Sequence, residues 1–177
     1  LSDKGGDNCD VLLMSATPIP RTLTMTIYGD MDLSIIKEKP KLRKEVKTYS
    51  KLESKIDDIL KFIKKELDYG SQIFWVCPLI EESKKLDHTS AVQKYNFLNK
   101  KFPNHVALLH GKTETTDKEI ILNKFLKNEF KILVSTTIIE VGIDFPNANV
   151  IVIENANKFG LSQLHQLRGR VGRGKKQ

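Results

Sequence analysis

The sequence predicts an α/β protein with a parallel sheet and helices on both of its faces, and three observations support this. Strand-like and helical patterns alternate from residue 46 to residue 177, which is typical of parallel α/β domains. Residues 72–76 are almost continuously apolar, as expected for a strand buried on both faces. From Leu52 to Leu67 the apolar residues instead recur at helical spacing, which indicates a helix with one buried side.

The first 44 residues lack this regular alternation. A short apolar strand is predicted at residues 10–14, a helix at 21–28 after Pro18 and Pro20, and a second strand at 33–36. The charged segment 37–44 contains Pro40 and has no core pattern, so we expect it to link two domains. The predicted division is residues 1–40 and 41–177.

From residue 45 onwards each element follows from its own pattern. Capping boxes at Ser50–Glu53 and Thr116–Glu119 predict two helix starts. Gly70 is expected to end the first of these helices. The predicted strands are 46–49, 72–76, 106–109, 131–134 and 149–153, and further helices are predicted at 83–101 and 162–170, the last with Leu161, Leu164 and Leu167 on its inner side.

Composition sets broad limits on the class of protein. The chain has 177 residues, of which 40% are hydrophobic and 29% charged, with a net charge of +7. No apolar run reaches the ~18 residues that cross a bilayer, and no leader is recognisable, so we expect a cytoplasmic protein without a membrane partner. The chain begins without Met and stops within a motif, and we expect it to be part of a longer protein. Cys77 is expected to be a buried thiol.

The most unusual stretch is residues 163–174, which holds three of the five arginines of a lysine-rich chain. Arginine grips a phosphate with a planar, permanently charged fork. Arg170 and Arg173 are three residues apart and share a face if the helix continues through them, and Gly169 and Gly172 allow close approach of a ligand. The alternative is a fraying, basic C-terminus.

Three other stretches follow predicted strands, where parallel sheets bind ligands. His110-Gly111 and Ser135-Thr136-Thr137 offer amides and hydroxyls to phosphate, although a simple turn and a helix cap explain them equally well. Gly142-Ile143-Asp144 places a carboxylate after a glycine, which suits a sugar hydroxyl or an arginine but also an ordinary turn. We expect the Arg-Gly repeat to join these stretches at the carboxyl ends of the strands.

The sequence also excludes several sites. Gly111-Lys112-Thr113 lacks the earlier glycine of a phosphate loop. The order of glycines in residues 169–174 is the reverse of a dinucleotide fingerprint. The four histidines show no metal-ligand spacing, so no metal site is expected in the chain.

Together these motifs resemble those of superfamily 2 helicases. Ser15-Ala16-Thr17 is similar to their third motif, residues 133–144 to the fifth, and residues 166–173 to the sixth, Q-x-x-G-R-x-G-R. Residues 18–22 extend the third motif as in the RecG type and in the transcription-repair coupling factor. Residues 74–83, 139–142, 153–156 and 159–166 are similar to the RecG type in particular. The resemblance covers nearly the whole chain.

The resemblance implies two RecA-like domains, of the P-loop NTPase type, with ATP and DNA at their cleft. Residues 1–40 correspond to the end of the first domain and 41–177 to most of the second. The phosphate loop and the Asp-Glu motif that binds Mg²⁺ are absent from this chain, as are the RecG-type wedge domain and terminal hairpin. We therefore expect ATP and Mg²⁺ to be held mainly outside it, and the chain alone to be inactive.

The resemblance also assigns roles to residues. Arg173 is expected to be the arginine finger at the γ-phosphate and Arg170 a second phosphate contact. The remaining assignments are nucleotide binding for Gln166, Gly142 and Asp144, coupling of hydrolysis to domain movement for Ser15, Thr17 and Arg21, and DNA-phosphate contact for His110, Gly111, Thr136 and Thr137.

The function implied is that of an ATP-dependent DNA helicase or translocase, a monomer that remodels branched DNA in recombination and repair. Two alternatives remain open. One is the motor half of a transcription-repair coupling factor. The other is a nucleic-acid-binding module that retains the fold without ATP hydrolysis, against which the paired arginines argue.

Overall fold

The structure is a computed structural model of the chain that describes residues 14, 34–36, 45–78, 84–111, 113–136 and 145–172, with only the backbone of 84–89. The chain divides into two compact units, Leu1–Glu38 and Lys39–Gln177. In the first unit the described residues 14 and 34–36 have no regular secondary structure, so the strand predicted at 33–36 is wrong over 34–36. The predicted helix 21–28 and the linker up to residue 44 lie outside the described residues.

The described part of the second unit is a parallel sheet with helices between the strands, as predicted. A 3-10 turn at Glu53–Lys55 precedes the first helix, and another at Ala156–Lys158 precedes the last. In chain order the main elements are α1 Ile56–Asp68, β1 Gln72–Val76, α2 Lys84–Lys101, β2 Val106–Leu109, α3 Thr115–Leu126, β3 Ile132–Ser135, β4 Ala148–Ile153 and α4 Leu161–Arg168.

The four strands described lie in the order β2-β3-β1-β4, and every pairing is parallel. The chain passes from β1 over β3 to β2, and then returns to β3. Because crossovers between parallel strands are right-handed, these opposite movements place α2 and α3 on opposite faces of the sheet. This confirms the predicted layering.

Alternating residues of the strands feed two separate cores. Ile73 and Trp75 of β1 face α1 and α2, where they share a buried cluster with Ile63 and Leu98. Phe74 faces the other way and packs with Phe125 of α3 and with Phe145. The rings of these three phenylalanines lie pairwise 5.4 Å apart, centroid to centroid. Burial on both faces explains why β1 reads as a continuous apolar run.

Gln72 is the polar exception in this strand, and it is 1% exposed. Its side-chain Nε2 donates to the carbonyl oxygens of Phe125 at 2.6 Å and Phe130 at 2.9 Å. These carbonyls belong to the end of α3 and to the loop after it, where helix carbonyls lack partners within the helix. Gln72 therefore ties the central strand to the end of α3.

Both predicted capping boxes are wrong. Leu52 occupies the N-cap of the first 3-10 turn and Glu114 that of α3, and neither makes a side-chain capping hydrogen bond. Extended backbone at these residues, with ψ near 150°, already sets the entry direction of each helix. The predicted helix ending is confirmed, because Gly70 adopts φ 79° and its amide donates to Leu67.

Two further predictions are wrong in the described residues. Residues 46–49 form no strand, although Val46 packs against the second core. Leu52 and Leu161 were expected on buried helix sides but are 76% and 87% exposed. Each lies at or before the first residue of its helical segment, where the chain has not yet turned its apolar side toward the sheet.

Candidate functional site

The carboxyl edge of the sheet brings together two of the predicted stretches. His110-Gly111 follows β2 and Thr136 follows β3, and these strands are neighbours in the sheet. The amide of Thr136 donates to the carbonyl oxygen of Leu109 at 3.4 Å, which joins the two stretches directly. The structure therefore groups the described residues that were predicted to contact DNA.

A compact turn organises His110. Its backbone amide donates to Thr113 Oγ1 at 3.1 Å, and the amide of Thr113 donates to the carbonyl of His110 at 3.0 Å. Thr113 Oγ1 also lies 3.3 Å from His110 Nδ1. Both the backbone and the ring of His110 are thus held by one threonine.

Gly111 at the tip of this turn is exposed, and a Cβ built there would meet no heavy atom within 4 Å. Its φ does not lie in the left-handed region, so the domain itself does not require glycine here. The exposed backbone can be approached closely from outside.

A groove of about 390 Å³ runs from this turn along α3. Its apolar walls are Leu108, Ile120 and Ile121, and its rim carries the carboxylates of Glu114 and Asp117. Because two carboxylates repel a phosphate, a phosphate contact at His110 and Gly111 would have to approach from the side away from this groove.

Thr136 is less accessible than its neighbours on the edge. It is 4% exposed, Ser135 is fully buried, and the amide of Thr136 is already bonded to Leu109. Because Thr136 is buried, a role in stabilising the turn after β3 fits it better than direct contact with a ligand.

The arginine-rich segment begins at the end of α4. The helix closes at Arg168 and Gly169 is its C-cap, with its amide bonded to the carbonyl of His165 at 3.1 Å. Arg170 therefore lies beyond the helix, and the expectation that Arg170 and Arg173 share a helical face is wrong for Arg170. Arg170 is half-buried and the amide of Arg170 donates to Leu167.

Two residues after Arg170 fix the course of the chain. Val171 is 1% exposed and belongs to the second core together with Phe145 and Ala148. Gly172 adopts φ 74°, which favours glycine, and its amide donates to the carbonyl of Ala148 at 3.3 Å. Arg170 thus lies between two buried anchors, Leu167 and Val171.

These anchors place the segment at the amino end of β4, because Ala148 is the first residue of that strand. We had expected the Arg-Gly repeat at the carboxyl ends of the strands, and this expectation is wrong. The helix α4 runs back along the sheet after β4, so its end returns to the opposite edge. A strand of six residues separates the two edges by about 20 Å.

The second core also joins two predicted stretches through their neighbours. Phe145 directly follows Asp144 in the sequence, Val171 directly follows Arg170, and both are buried in one cluster. The predicted sites therefore form two groups: His110, Gly111 and Thr136 at the carboxyl edge, and Arg170 with the chain next to Asp144 near the amino end of β4.

Gln166 lies on α4 one residue before the buried Leu167 and is half-buried. Seven predicted site residues lie outside the described part of the chain: Ser15, Thr17, Arg21, Thr137, Gly142, Asp144 and Arg173.

The sequence analysis missed a polar network at the ends of β1 and β4. Glu154 receives Lys94 Nζ on one carboxylate oxygen at 2.6 Å and Cys77 Sγ on the other at 3.7 Å. Lys94 Nζ also lies 5.4 Å from the centroid of the Trp75 ring. The position of Glu154 directly after an apolar strand could have indicated this network. Its partners Lys94 and Cys77, however, lie 60 and 77 residues earlier in the sequence.

This network sets the chemistry of Cys77, which is buried as predicted. Burial raises the pKa of the thiol from 9.0 to about 12, and the negative charge of Glu154 adds to this effect. The thiol is therefore protonated at neutral pH and is a structural group.

The described residues contain no cluster of His, Cys, Asp and Glu that is placed to hold a metal ion. Among the described helices, none is both long and apolar enough to cross a membrane.

Known proteins resemble this chain over most of its length. RecG of Bacillus subtilis, named an ATP-dependent DNA helicase, is 51% identical over 179 residues, which covers 100% of this chain and 26% of that protein. The RecG proteins of Thermotoga maritima and Aquifex aeolicus are 50% and 54% identical and cover 96% and 94% of this chain. The chain spans only 22% and 21% of their respective lengths.

Solved structures agree with the fold. A structure of RecG bound to a three-way DNA junction matches with a TM-score of 0.74 at 46% identity, over 91% of this chain and 21% of that one. Domain 2 of the DEAD-box helicase Mss116p, solved on an RNA duplex, matches with a TM-score of 0.50 at 24% identity, over 70% of this chain and 47% of that one. The second match supports the RecA-like fold alone.

The expected resemblance to RecG proteins is thereby confirmed, and so is the RecA-like α/β fold. The helicase conserved C-terminal domain family matches residues 54–175, from just before α1 to beyond α4. This range contains the whole described sheet and the whole arginine-rich stretch, residues 163–174. The chain belongs to the helicase conserved C-terminal domain family.

Proposed function

We propose that this chain is the second motor domain, with the end of the first, of an ATP-dependent DNA helicase that remodels branched DNA in recombination and repair. The observation that carries the proposal is the 46% identity, with a TM-score of 0.74, to RecG bound to a three-way DNA junction. The RecG relatives favour this function over a transcription-repair coupling factor. We also propose that the motor works as a cytoplasmic monomer.

The proposed domain limits are residues 1–40 and 41–177. The division of the chain into two compact units at residues 38 and 39 supports this boundary. The first motor domain would then lie mostly before this chain, with the phosphate loop and the carboxylates that hold Mg²⁺.

The proposed nucleotide site uses the segment near the amino end of β4. ATP supplies the phosphoryl group that is transferred to water. Arg173 acts as the arginine finger and Arg170 as a second γ-phosphate contact, while Gln166, Gly142 and Asp144 line the nucleotide side of the cleft. The buried anchors on either side of Arg170 support this role, because a pre-positioned cation stabilises developing charge without reorganisation.

The proposed DNA site uses the carboxyl edge of the sheet. His110 and Gly111 contact phosphates, and the exposed backbone of Gly111 supports this role. Thr136 and Thr137 complete the site, and the burial of Thr136 favours a supporting role in the turn. Phosphate contacts carry no sequence information, which suits a motor that moves along any DNA.

The described residues of the two proposed sites lie at opposite edges of one sheet. Nucleotide-dependent movement at one edge can change the DNA grip at the other through the rigid sheet between them. We propose that Ser15, Thr17 and Arg21 couple hydrolysis to this movement from the side of the first domain.

The proposal is tested by ATP hydrolysis of the full-length protein in the presence of three-way junction DNA. Arg173→Ala is expected to lower turnover by about 10³-fold or more with ATP binding retained, as for other arginine fingers. Arg168→Ala is the matched control, because this arginine is exposed on α4. Equal turnover in all three proteins would refute the finger, and absence of any DNA-stimulated hydrolysis would favour the non-catalytic binding module.

A further inference from the structure

A lysine-lined recess lies on the face of the sheet covered by α1 and α2, away from both proposed sites. Its volume is about 330 Å³, and it is lined by Asp57, Leu60, Lys61, Lys64, Lys101 and Phe102. Lys61 and Lys64 are one turn apart on α1, whereas Lys101 is the last residue of α2. Positive side chains from two helices therefore converge on one concavity.

The charge of this recess is unbalanced. Three ammonium groups face a single carboxylate, that of Asp57, and all three lysines are exposed. Among the described residues, none of these three lysines has a carboxylate oxygen within 4.0 Å, and Asp57 offsets only one of the three positive charges. The excess of like charges is repulsive, and an anion relieves that repulsion.

Local structure explains only part of this arrangement. Lys101 at the end of α2 interacts favourably with the negative end of the helix dipole. Lys61 and Lys64 lie in the middle of α1, each one turn from an acid of the helix, Asp57 and Asp68 respectively. These acids account for the positions of the two lysines on the helix but not for their convergence with Lys101. Beneath them, the nearly buried Leu60 and the half-buried Phe102 form an apolar floor that excludes water from one side of a bound anion.

The recess is distinct from the proposed DNA site at His110 and Gly111. Phe102 lies just before β2 and accepts a hydrogen bond from the amide of His105, whereas His110 follows the carboxyl end of the same strand. The two places therefore lie at opposite ends of β2. A ligand long enough to reach both must extend across the domain.

We propose that this recess is a second contact for the phosphate backbone of DNA, made by Lys61, Lys64 and Lys101. The inference rests on the proposed function, because it assumes a DNA-bound motor, and it adds a contact outside the cleft. Lysine suits this task, since a mobile point charge binds a phosphate without fixing its orientation. A branched DNA offers more than one arm, and one arm can pass this face while another occupies the carboxyl edge.

The test measures binding of a fluorescently labelled three-way junction to the full-length protein at a series of KCl concentrations. The variant is Lys61→Gln with Lys64→Gln. The matched control is Lys124→Gln with Lys127→Gln, which removes two exposed lysines with the same spacing at the end of α3. Lys101→Gln is a third, independent variant on the other helix.

Lys61→Gln with Lys64→Gln is expected to remove one phosphate contact. The slope of the logarithm of the DNA-binding constant against the logarithm of the salt concentration should then fall by about 1, and binding should weaken about tenfold at ~50 mM salt. Lys101→Gln should change the slope in the same direction, and the control pair should leave it unchanged. Turnover of ATP at saturating DNA should be equal in all variants.

Two results would overturn the recess contact. Unchanged slopes for Lys61→Gln with Lys64→Gln and for Lys101→Gln would show that DNA does not touch it, and equal losses in the control pair would show that only net charge matters. If the wild-type protein failed to bind the junction at all, the proposed function itself would fall, so the two failures are distinguishable.

Discussion

Gly172 offers a direct test of how the arginine-rich segment is held. Its φ of 74° lies in the left-handed region, and its amide bonds to the first residue of β4. The substitution Gly172→Ala adds a Cβ to this backbone and keeps every other atom. A left-handed conformation costs an ordinary residue about 1–2 kcal/mol, so the free energy of unfolding should fall by that amount.

The chain itself supplies the comparisons that make this magnitude testable. Asn104, Asn128 and Asn155 all adopt positive φ here, because asparagine tolerates this region better than alanine. Gly172→Asn should therefore cost less than Gly172→Ala. Gly111→Ala is the matched control and should be neutral or stabilise by about 0.4–1 kcal/mol, since its backbone is compatible with alanine and its Cβ meets open space.

Urea unfolding followed by the fluorescence of Trp75 is a suitable assay. Trp75 is the sole tryptophan of the chain and is fully buried in β1, so its emission reports the second unit. In the full-length protein we also expect Gly172→Ala to lower ATP turnover by about 10²-fold, the loss that a shift of ~1 Å in a catalytic group produces. Equal stabilities of Gly172→Ala and Gly111→Ala, or a larger loss for Gly172→Asn than for the other two, would show that the left-handed backbone at Gly172 does not set the stability of this segment.

Two further predictions concern the core of the sheet. Gln72→Leu should lower the free energy of unfolding by about 1–2 kcal/mol, because the carbonyl of Phe130 loses the Gln72 amide while that of Phe125 keeps the backbone amide of Asn128. Gln93→Leu, exposed on α2, should change it by less than about 0.5 kcal/mol, and equal effects in urea unfolding would contradict this. For Cys77, with its pKa raised to about 12, the unfolded thiol ionises first as pH rises. Its contribution to stability is therefore complete below about pH 8, and it falls by up to about 1.4 kcal/mol per pH unit between the unfolded pKa of 9.0 and the folded pKa of about 12. Unfolding at several pH values should show this slope in the wild type and not in Cys77→Ala, and parallel curves would refute it.

Local sequence patterns predicted the sheet well because its strands are buried on both faces. The bounds of β1 and β2 were predicted correctly, and those of β3 and β4 to within a residue. The capping-box predictions were wrong, because such a box requires the helix to begin at one particular residue. The helical segments have Leu52 and Glu114 as their N-caps, and not Ser50 and Thr116.

Long-range contacts explain the features that the sequence could not provide. In the sequence Gln72 is a polar interruption of an apolar strand. Only the position of α3 shows that it donates to one carbonyl at the end of that helix and to another in the loop after it. Glu154 likewise reads as a surface acid until Cys77 and Lys94 are brought to it. Sequence spacing does not predict the partners of Gln72 or of Glu154, because these partners come from other elements of the fold.

The sequence by itself determined the class of the protein: the order of its strands and helices, and the motifs that relate it to RecG-type helicases. Those properties depend on apolar periodicity and residue identity, which are local. Only the tertiary structure decided that the described candidate residues form two groups, with His110, Gly111 and Thr136 at one edge of the sheet and Arg170 near the other. The reason is that α4 returns the chain across the sheet after β4, and the burial of Val171 beside Phe145 fixes where Arg170 comes to lie.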